Sequence, residues 1–404
     1  MSTAYREKIP YYKINKVLWR WTRCDADRGC YPVPDLAISM TKPPPTLLTQ
    51  PGAAPSSTSP AQPLTHADRV NNSLDGLLSI AHGVSRVKKW LDTPDPPKPP
   101  KTTPARREER ATTLPFDLQE IPGAMRKEIM PVSAKLMERW FAGDLNYSPT
   151  PRDEVKGLNQ NGQPYPPSMI DKTTIKLDWV LKHTRAKVVY DFLQTYERLT
   201  TPRAIEALGS ALRPLRSPYG KVDAWKLSDQ DLKILHKNFE FQLAGVESTF
   251  SQKLDQLVSR EKSNGGVPDD LTGSLGSFNF YAAVGSATFN RDANRATITS
   301  IILYVKDNYT FTDEAGEPSQ YLGHWSRDGV VIVPATGAAG LAGVSWPDYP
   351  VAVGDMRVRG NVYYPVRNSS FREWQKIHQQ GGDFIIFSDY RFVTLLKPVE
   401  IEFL

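Results

Sequence analysis

The 404-residue chain has only two cysteines, Cys24 and Cys30. A secreted fold held together by several disulfides is therefore excluded. Asp25 and Asp27 lie between these cysteines, but no second pair and no nearby histidine completes a metal site. We expect two ordinary thiols or one small redox-dependent loop here and name no metal-ligating residues, and the sequence leaves the cofactor unknown.

Long apolar runs are also missing. Charged residues and Pro10 interrupt the N-terminus, MSTAYREKIPYYKINKVLWRW. It therefore has no continuous apolar segment of the kind that a secretory signal needs. No later run reaches the roughly 18–20 apolar residues of a transmembrane helix. We expect a chain that is soluble in the cytoplasm of its producer and that leaves the cell, if it does, without a cleaved signal.

Excess positive charge is missing from most of the chain, although the net charge is +6. Residues 1–30 contain 7 Lys/Arg against 3 acidic residues, and residues 86–110 contain 8 against 4. Residues 111–404 contain 33 against 34. The basicity belongs to an N-terminal arm and a linker, so nucleic acid is not expected as a partner.

Prolines are concentrated near the N-terminus, where 14 lie between Lys42 and Pro115. This composition predicts a basic and aromatic arm over residues 1–41, followed by an extended linker over residues 42–115. Within the linker, residues 70–92 have apolar positions on one helical face. That amphipathic helix would dock on a partner or on the chain's own body.

Helical periodicity predicts a helical domain over residues 116–261, with its last long helix starting after the N-cap candidate Ser228. His183 and His236 have no companion at metal-ligand spacing, so packing or a solvent-edge position is the simpler interpretation. Residues 262–274, rich in Gly, Pro and Asp, predict a linker.

Alternating apolar residues then predict a long hairpin over 276–289 and 295–311. Further strands are predicted at 329–334, 356–365 and 382–396 and in the terminal VEIEFL. We predict an α+β fold, in which the helical middle region precedes a mostly antiparallel, β-rich C-terminal domain over residues 275–404 with one clear helix.

No phosphate loop, nucleophile elbow or zinc motif is present, and three weaker groupings remain. Asp307 ends an apolar strand in YVKDNYTFTD, where a sheet can hold an acid or base in place. A solvated turn is the alternative there, and it is the better interpretation of Asp313. In QYLGHWSRDG, His324 could transfer a proton while Arg327 holds an anion, or the loop is only a turn.

The third grouping is NSSFREWQKIHQQGGDFIIFSD near the C-terminus. Ser370 and Glu373 predict a capping box for a helix over residues 371–380, and the following Gly-Gly pair predicts its end. Phe371 and Trp374 then lie on one face, which is typical of a core. The polar candidates left over are His378, Asp383 and Arg372.

The candidate catalytic residues are thus Asp307, His324, Arg327, His378 and Asp383. Convergence of their side chains across the sheet is a requirement that spacing alone does not establish.

Residues 120–404 resemble a bacterial family of unknown function encoded near type VI secretion spike genes. The resemblance rests on IPGAMRKEIMPVSAKLMERWF, YVKDNYTFTD with QYLGHW, and the C-terminal stretch. It implies a cargo or accessory protein of a contractile secretion system, with a spike or adaptor protein and a cognate immunity protein as partners. It provides no catalytic residues.

A weaker similarity is to the colicin M toxins, phosphodiesterases with a D-x-Y-D pattern followed by an adjacent His-Arg pair. Asp307 and Tyr309 fit this pattern, but Thr310 replaces the second Asp, and His324 and Arg327 are not adjacent. We therefore weigh two functions. One is an antibacterial effector delivered to the target cell, acting as a hydrolase on a phosphodiester or a cell-envelope precursor. The other is a non-enzymatic adaptor that loads cargo onto the spike.

Overall fold

The computed structural model describes residues 38–47, 116–248, 268–332, 350, 358 and 360–403 with their side chains. It describes only the backbone of strands Tyr11–Lys13, Trp19–Asp25, Gly29–Pro32 and Val351–Ala352. The expected amphipathic helix 70–92 and most of the arm and linker lie outside the described residues.

The described helices, in chain order, are α1 (Ile121–Lys127), α2 (Pro131–Phe141), α3 (Pro151–Lys156), α4 (Leu177–Val180), α5 (Thr184–Leu193), α6 (Tyr196–Leu199), α7 (Pro202–Leu212), α8 (Ala224–Leu227), α9 (Leu232–Phe239), α10 (Asp270–Leu275) and α11 (Asn368–His378). Three short 3-10 helices span Leu118–Glu120, Pro167–Met169 and Arg213–Leu215. None of the described helices is long and apolar enough to cross a membrane.

The strands are β1 (Tyr11–Lys13), β2 (Trp19–Asp25), β3 (Gly29–Pro32), β4 (Ile38–Ser39), β5 (Phe116–Asp117), β6 (Ile170–Asp171), β7 (Lys221–Asp223), β8 (Glu240–Val246), β9 (Phe278–Phe289), β10 (Arg295–Tyr309), β11 (Tyr321–Ser326), β12 (Gly329–Val331), β13 (Val351–Ala352), β14 (Val362–Arg367) and β15 (Phe384–Glu402).

The largest sheet has the order β6-β15-β10-β9-β7, and β8 also pairs with β9. The predicted hairpin is confirmed as β9 and β10, which pair antiparallel, and β15 pairs antiparallel with the other side of β10. The four-stranded sheet β12-β11-β14-β13 lies in the same C-terminal region. The α+β class, with a β-rich C-terminal region, is therefore confirmed.

The middle region is not a separate helical unit, because it supplies β6, β7 and β8 to the largest sheet. One hydrophobic cluster runs from Phe116 to Phe403 through both regions. The expected helical domain 116–261 and α+β domain 275–404 therefore share a sheet and a core.

The helix expected to run on from Ser228 ends at Phe239 instead. The next seven residues form β8, whose backbone pairs with Phe278–Ala283 of β9. Gly245 is a poor helix former, and the partner strand satisfies the backbone amides of β8, so strand pairing overrides the helical pattern.

The C-terminal helix also differs from its prediction, since α11 begins at Asn368. Ser370 therefore occupies the third helical position, where its hydroxyl accepts a hydrogen bond from the Arg367 backbone N–H at 3.2 Å. The helix ends at His378, and the next residue, its C-cap Gln379, has a left-handed conformation (φ 50°). The predicted Gly-Gly pair follows this stop.

Part of the expected linker packs on the body. Strand β4 pairs in parallel with β5, and Lys42 forms an ion pair with Glu120 at 2.9 Å. Gln380 donates a hydrogen bond to the carbonyl of Pro45 at 2.8 Å. Residues 38–47 therefore form a strap across residues 116–120 and the end of α11.

Candidate functional site

A cavity of about 440 Å³ lies between helices α1, α2 and α10, the end of β10, strand β11 and the start of α11. This volume is in the range typical of sites for small ligands. The end of β10 forms one wall, and there β10 pairs with β15, while its pairing with β9 ends at Lys306. The largest sheet thus fixes the position of the polar groups in this wall.

The lining of the cavity combines two kinds of chemistry. Helices α1 and α2 and the turn between them provide Met125, Met137 and Met130, whose flexible side chains fit irregular apolar shapes. Polar groups come from strand ends and loops, where Ser277, Asp307, Asn308, Thr310 and Gln320 lie, and also from helices, which provide Glu154, Thr272, Ser274 and Asn368. The described lining therefore offers an occupant both apolar and hydrogen-bonding groups, and Met137 itself accepts a hydrogen bond from the Tyr309 hydroxyl at the end of β10, with the two atoms 3.7 Å apart.

Asp307 is the acidic residue that β10 places in this lining. Burial raises the pKa of its carboxyl well above the usual range. The Asn308 backbone N–H and the charge of Lys306 oppose this rise, and the charge of Glu154 adds to it. A carboxyl group with a raised pKa holds its proton more tightly than an ordinary one, which is a property that a general acid needs.

Glu154, on α3, is the second carboxyl group in the lining. The Asn308 side-chain amide reaches its backbone carbonyl at 3.4 Å, which places α3 beside the end of β10. The buried Oδ1 of Asn308 has no hydrogen-bond partner among the described residues. None of the described lining residues is a lysine, an arginine or a histidine.

Tyr321 connects the cavity to His324, which is fully buried behind it. The Tyr321 hydroxyl and the Nδ1 of His324 form a short hydrogen bond. Residues three apart on a regular strand point to opposite faces, but the register of β11 shifts between these two residues, and Gly323 has φ 104°. His324 is therefore linked to the lining through the phenol of Tyr321.

Asp383 is also buried, but its carboxylate is fully engaged by other side chains. Arg372 binds both of its oxygens, at 3.0 and 2.6 Å, and the Trp140 indole N–H donates to Oδ1 at 3.0 Å. Burial raises the pKa of Asp383, while Arg372 and Trp140 oppose the rise. The group joins α2, α11 and the start of β15, which is a structural role.

The turn before Asp383 brings the chain close to the loop after α2. Gly382 donates its N–H to the Trp140 carbonyl at 2.9 Å, and Asp383 donates to the Asn146 carbonyl at 2.7 Å. A Cβ at Gly382 would lie 2.6 Å from the Asp144 carbonyl oxygen. Glycine is therefore required here by close packing.

His378 and Arg327 lie away from the cavity lining. The His378 Nε2–H donates to the carbonyl of Met40 at 2.8 Å, so it holds the strap of residues 38–47. Arg327 is on the exposed turn after β11, next to Asp328, which pairs with Lys127 at 2.5 Å. Of the five predicted residues, Asp307 lines the cavity and His324 reaches it through Tyr321.

A further titratable cluster lies on the largest sheet. The His236 Nδ1 is 2.9 Å from the Tyr304 hydroxyl, and its ring packs on Tyr281. Burial, helped by the charge of Lys306, lowers the pKa of His236 to about 4. The ring therefore stays neutral near pH 7. None of these four residues lines the cavity.

Sequence reasoning missed Glu154, Tyr321 and Asn368. Tyr321 belongs to the QYLGHWSRDG stretch. Gly323 is the local sequence signal of the bulge that brings Tyr321 and His324 together. Glu154 and Asn368 carry no local signal, because tertiary packing alone brings them to the cavity. The part of the chain that the structure describes contains no group of three or more His, Cys, Asp or Glu residues that could hold a metal ion.

Residues 116–403 match the model of a protein family described as "Family of unknown function (DUF6402)". No curated protein and no solved structure matches the chain.

Proposed function

The chain belongs to the DUF6402 family, whose function is unknown, and we propose that it is an antibacterial effector of a type VI secretion system. In this proposal it is made in the cytoplasm of the producer, delivered to a target cell, and there hydrolyses a component of the cell envelope. The supporting observation is Asp307, a half-buried residue of β10 that pairs with Ile386 of β15 and lies in the wall of a 440 Å³ cavity.

The two carboxyl groups of the lining suit acid and base roles in hydrolysis. Protonated Asp307 gives its proton to the leaving oxygen as the bond to that oxygen breaks. A water molecule attacks the carbon atom from which that oxygen departs, and Glu154 accepts a proton from the water. Glycoside hydrolysis uses such a pair of carboxyl groups. Tyr321, whose hydroxyl is hydrogen-bonded to His324, also lines this cavity.

The lining favours an envelope component over a phosphodiester. An enzyme that binds a phosphodiester usually holds its charge with Arg, Lys or a metal ion. The described lining contains two acidic side chains, Glu154 and Asp307, and no cationic side chain. Among the described lining residues, a bound phosphate would find two carboxyl groups and no side chain of opposite charge.

Expression of the full chain tests the proposal, once in the cytoplasm and once in the periplasm with an added signal peptide. We expect growth inhibition in the periplasm that Asp307→Asn abolishes. The control is Asp292→Asn, an exposed change in the β9–β10 loop that should retain inhibition. The full chain is needed because a fragment 275–404 would lose β6, β7 and β8.

Absence of growth inhibition in both compartments would contradict the effector proposal, as would inhibition that persists in Asp307→Asn. A neighbouring gene whose small product restores growth would identify the immunity protein that the proposal requires.

A second function, an adaptor that loads cargo onto the spike, is supported by a different feature. Strand β15 leaves Phe392 and Leu396 exposed, at 51% and 106% relative accessibility. An adaptor would bind its spike or cargo partner through these side chains. In that case Phe392→Asp with Leu396→Asp would abolish secretion of the cargo, while Asp307→Asn would leave it unchanged.

A further inference from the structure

The strap of residues 38–47 holds the segment at which the body of the fold begins. Strand β5 forms a two-stranded sheet with β4, so its pairing partner in the part of the chain that the structure describes is the strap. The Gln119 side-chain amide donates a hydrogen bond to the Lys42 carbonyl at 2.9 Å, and the Lys42 backbone N–H donates to the Asp117 carboxylate at 3.2 Å. The Lys42 ammonium group forms an ion pair with Glu120 at 2.9 Å. Three side chains of this segment therefore bind a single strap residue.

This segment leads directly into a wall of the cavity. The 3-10 helix Leu118–Glu120 is followed without a gap by α1, whose residues Ile121 and Met125 line the cavity. Helix α1 has seven residues, and a helix of this length is only marginally stable by itself in water. Its N-cap residue, Glu120, makes no capping hydrogen bond with its side chain and instead pairs with Lys42. The order of this wall therefore depends in part on the strap.

The strap also contacts the end of a second helix of the cavity. Helix α11 contributes Phe371 to the lining near its start. At the other end of this helix, the His378 Nε2–H donates to the Met40 carbonyl at 2.8 Å. Just after that end, the Gln380 side-chain amide donates to the Pro45 carbonyl at 2.8 Å. The strap thus bridges the entry of α1 and the end of α11, two helices that both line the cavity.

The strap is attached more weakly than the elements it joins. Of its side chains, Ile38 and Met40 pack against the hydrophobic core, and both remain partly exposed. Thr46 and Leu47, at its C-terminal end, are exposed. Segments with few buried apolar contacts open locally at a lower cost in free energy than core strands and helices do. The strap can therefore leave the body while the core stays folded.

We propose that the strap is a releasable clamp on the cavity. When the strap is docked, it orders residues 116–125 and closes the wall that α1 forms. When the strap is released, this wall loosens and the lining becomes accessible, so the clamp regulates the entry of a ligand. The clamp goes beyond the proposed function, because it depends neither on the identity of the ligand nor on a reaction.

Two substitutions in the strap of the full chain test the clamp by hydrogen exchange. Ile38→Asp with Met40→Asp places two carboxylates against the hydrophobic core, which should undock the strap without changing any residue of the body. Amide exchange in the strap and in α1 should accelerate at least tenfold, while exchange in β9 stays unchanged. The control, Thr46→Asp with Leu47→Asp, adds the same charges at exposed strap positions and should leave all of these rates unchanged.

The accessibility of the cavity is measured by thiol modification at a buried position. Ser274 lines the cavity and Ser228 does not, although the two residues are comparably buried, at 3% and 0% relative accessibility. Each is replaced in turn by cysteine, as Ser274→Cys or Ser228→Cys, in a full chain that also carries Cys24→Ser and Cys30→Ser. Release of the strap by the two aspartate substitutions should raise the rate of modification by iodoacetamide at position 274 at least tenfold. The rate at position 228 should stay unchanged.

Three results would overturn the clamp. Equal acceleration at positions 274 and 228 would show a general loosening of the fold. Unchanged exchange in α1, with accelerated exchange in the strap, would show that the wall is ordered without the strap. Unchanged exchange in the strap itself would show that Ile38 and Met40 do not anchor it. Growth inhibition enters none of these readouts, so the clamp and the proposed function succeed or fail separately.

Discussion

Asp307 and Asp383 lie near the same end of two paired strands, and they differ in what surrounds them. Burial raises the pKa of both carboxyl groups. Asp383 has Arg372 and Trp140 bound to its oxygens, whereas Asp307 lines a cavity and has no ion pair within 4.0 Å among the described residues. A shifted pKa therefore does not by itself identify a functional carboxyl group, and the partners of the group decide its role.

The largest effect should come from removing the partner of Asp383. Arg372→Ala leaves a buried carboxylate without its cation and should lower the free energy of unfolding by about 3–5 kcal/mol. Urea denaturation at neutral pH measures this. The matched control is Arg391→Ala, which removes a surface ion pair with Asp178 and should cost less than about 1 kcal/mol. Equal losses in the two variants would show that the Asp383 cluster is not a structural lock.

The second-largest effect should be on how the free energy of unfolding depends on pH. This dependence reports the contribution of Asp307 separately from that of Asp383. The pKa of this carboxyl is higher in the folded state than its unfolded value of about 3.9. The folded state therefore binds the extra proton, and wild-type stability falls as the pH rises from about 4 through the folded pKa. Asp307→Asn should abolish this part of the fall, while the contribution of Asp383 is common to both proteins.

Denaturation midpoints of wild type and Asp307→Asn across this pH range provide the measurement. Lys306 and Glu154 are the charged neighbours that influence the group, and neither is changed in the variant. Parallel curves for the two proteins would mean that Asp307 titrates normally and would remove it as a general acid.

His236 is a basic group in a buried position, so burial shifts its pKa in the direction opposite to that of the two aspartates. Its pKa is lowered to about 4 in the folded state, mainly by burial, so the unfolded state binds more protons between pH 4 and 6.5. Stability should therefore decrease as the pH falls from 6.5 to 4, by an amount on the order of 2 kcal/mol. In His236→Gln this decrease should be absent from urea denaturation curves. A decrease of the same size in the variant would assign it to other groups.

The comparison of the two aspartates also explains what the sequence could and could not predict. The β9–β10 hairpin is local, and its alternating pattern is sufficient to place Asp307 at a strand end. The pairing of β8 with β9 is not local, so the sequence could not predict that the two expected domains share a sheet. Trp140 and Asp383 are 243 residues apart, and only the folded chain brings them together.

The separation of His324 and Arg327 has a similar explanation. Their spacing suggested a joint role with an anion, but β11 buries His324 fully, and the following turn exposes Arg327. The bulge at Gly323 then directs His324 to Tyr321. Spacing along a strand indicates faces only while its register is regular, and the sequence does not show where the register shifts.

The smallest effect should come from His378, which resembles Asp383 because its contact is structural. His378→Ala removes the donor to the Met40 carbonyl and should lower global stability by only about 1 kcal/mol. The local effect should be larger, because this contact, the Gln380 contact and the Lys42 ion pair hold the strap of residues 38–47. Hydrogen exchange of its backbone amides should accelerate, while exchange in β10 stays unchanged. Lys376→Ala, on the same helix, is the control. Unchanged exchange in the strap, together with loss of growth inhibition, would return His378 to the set of functional residues.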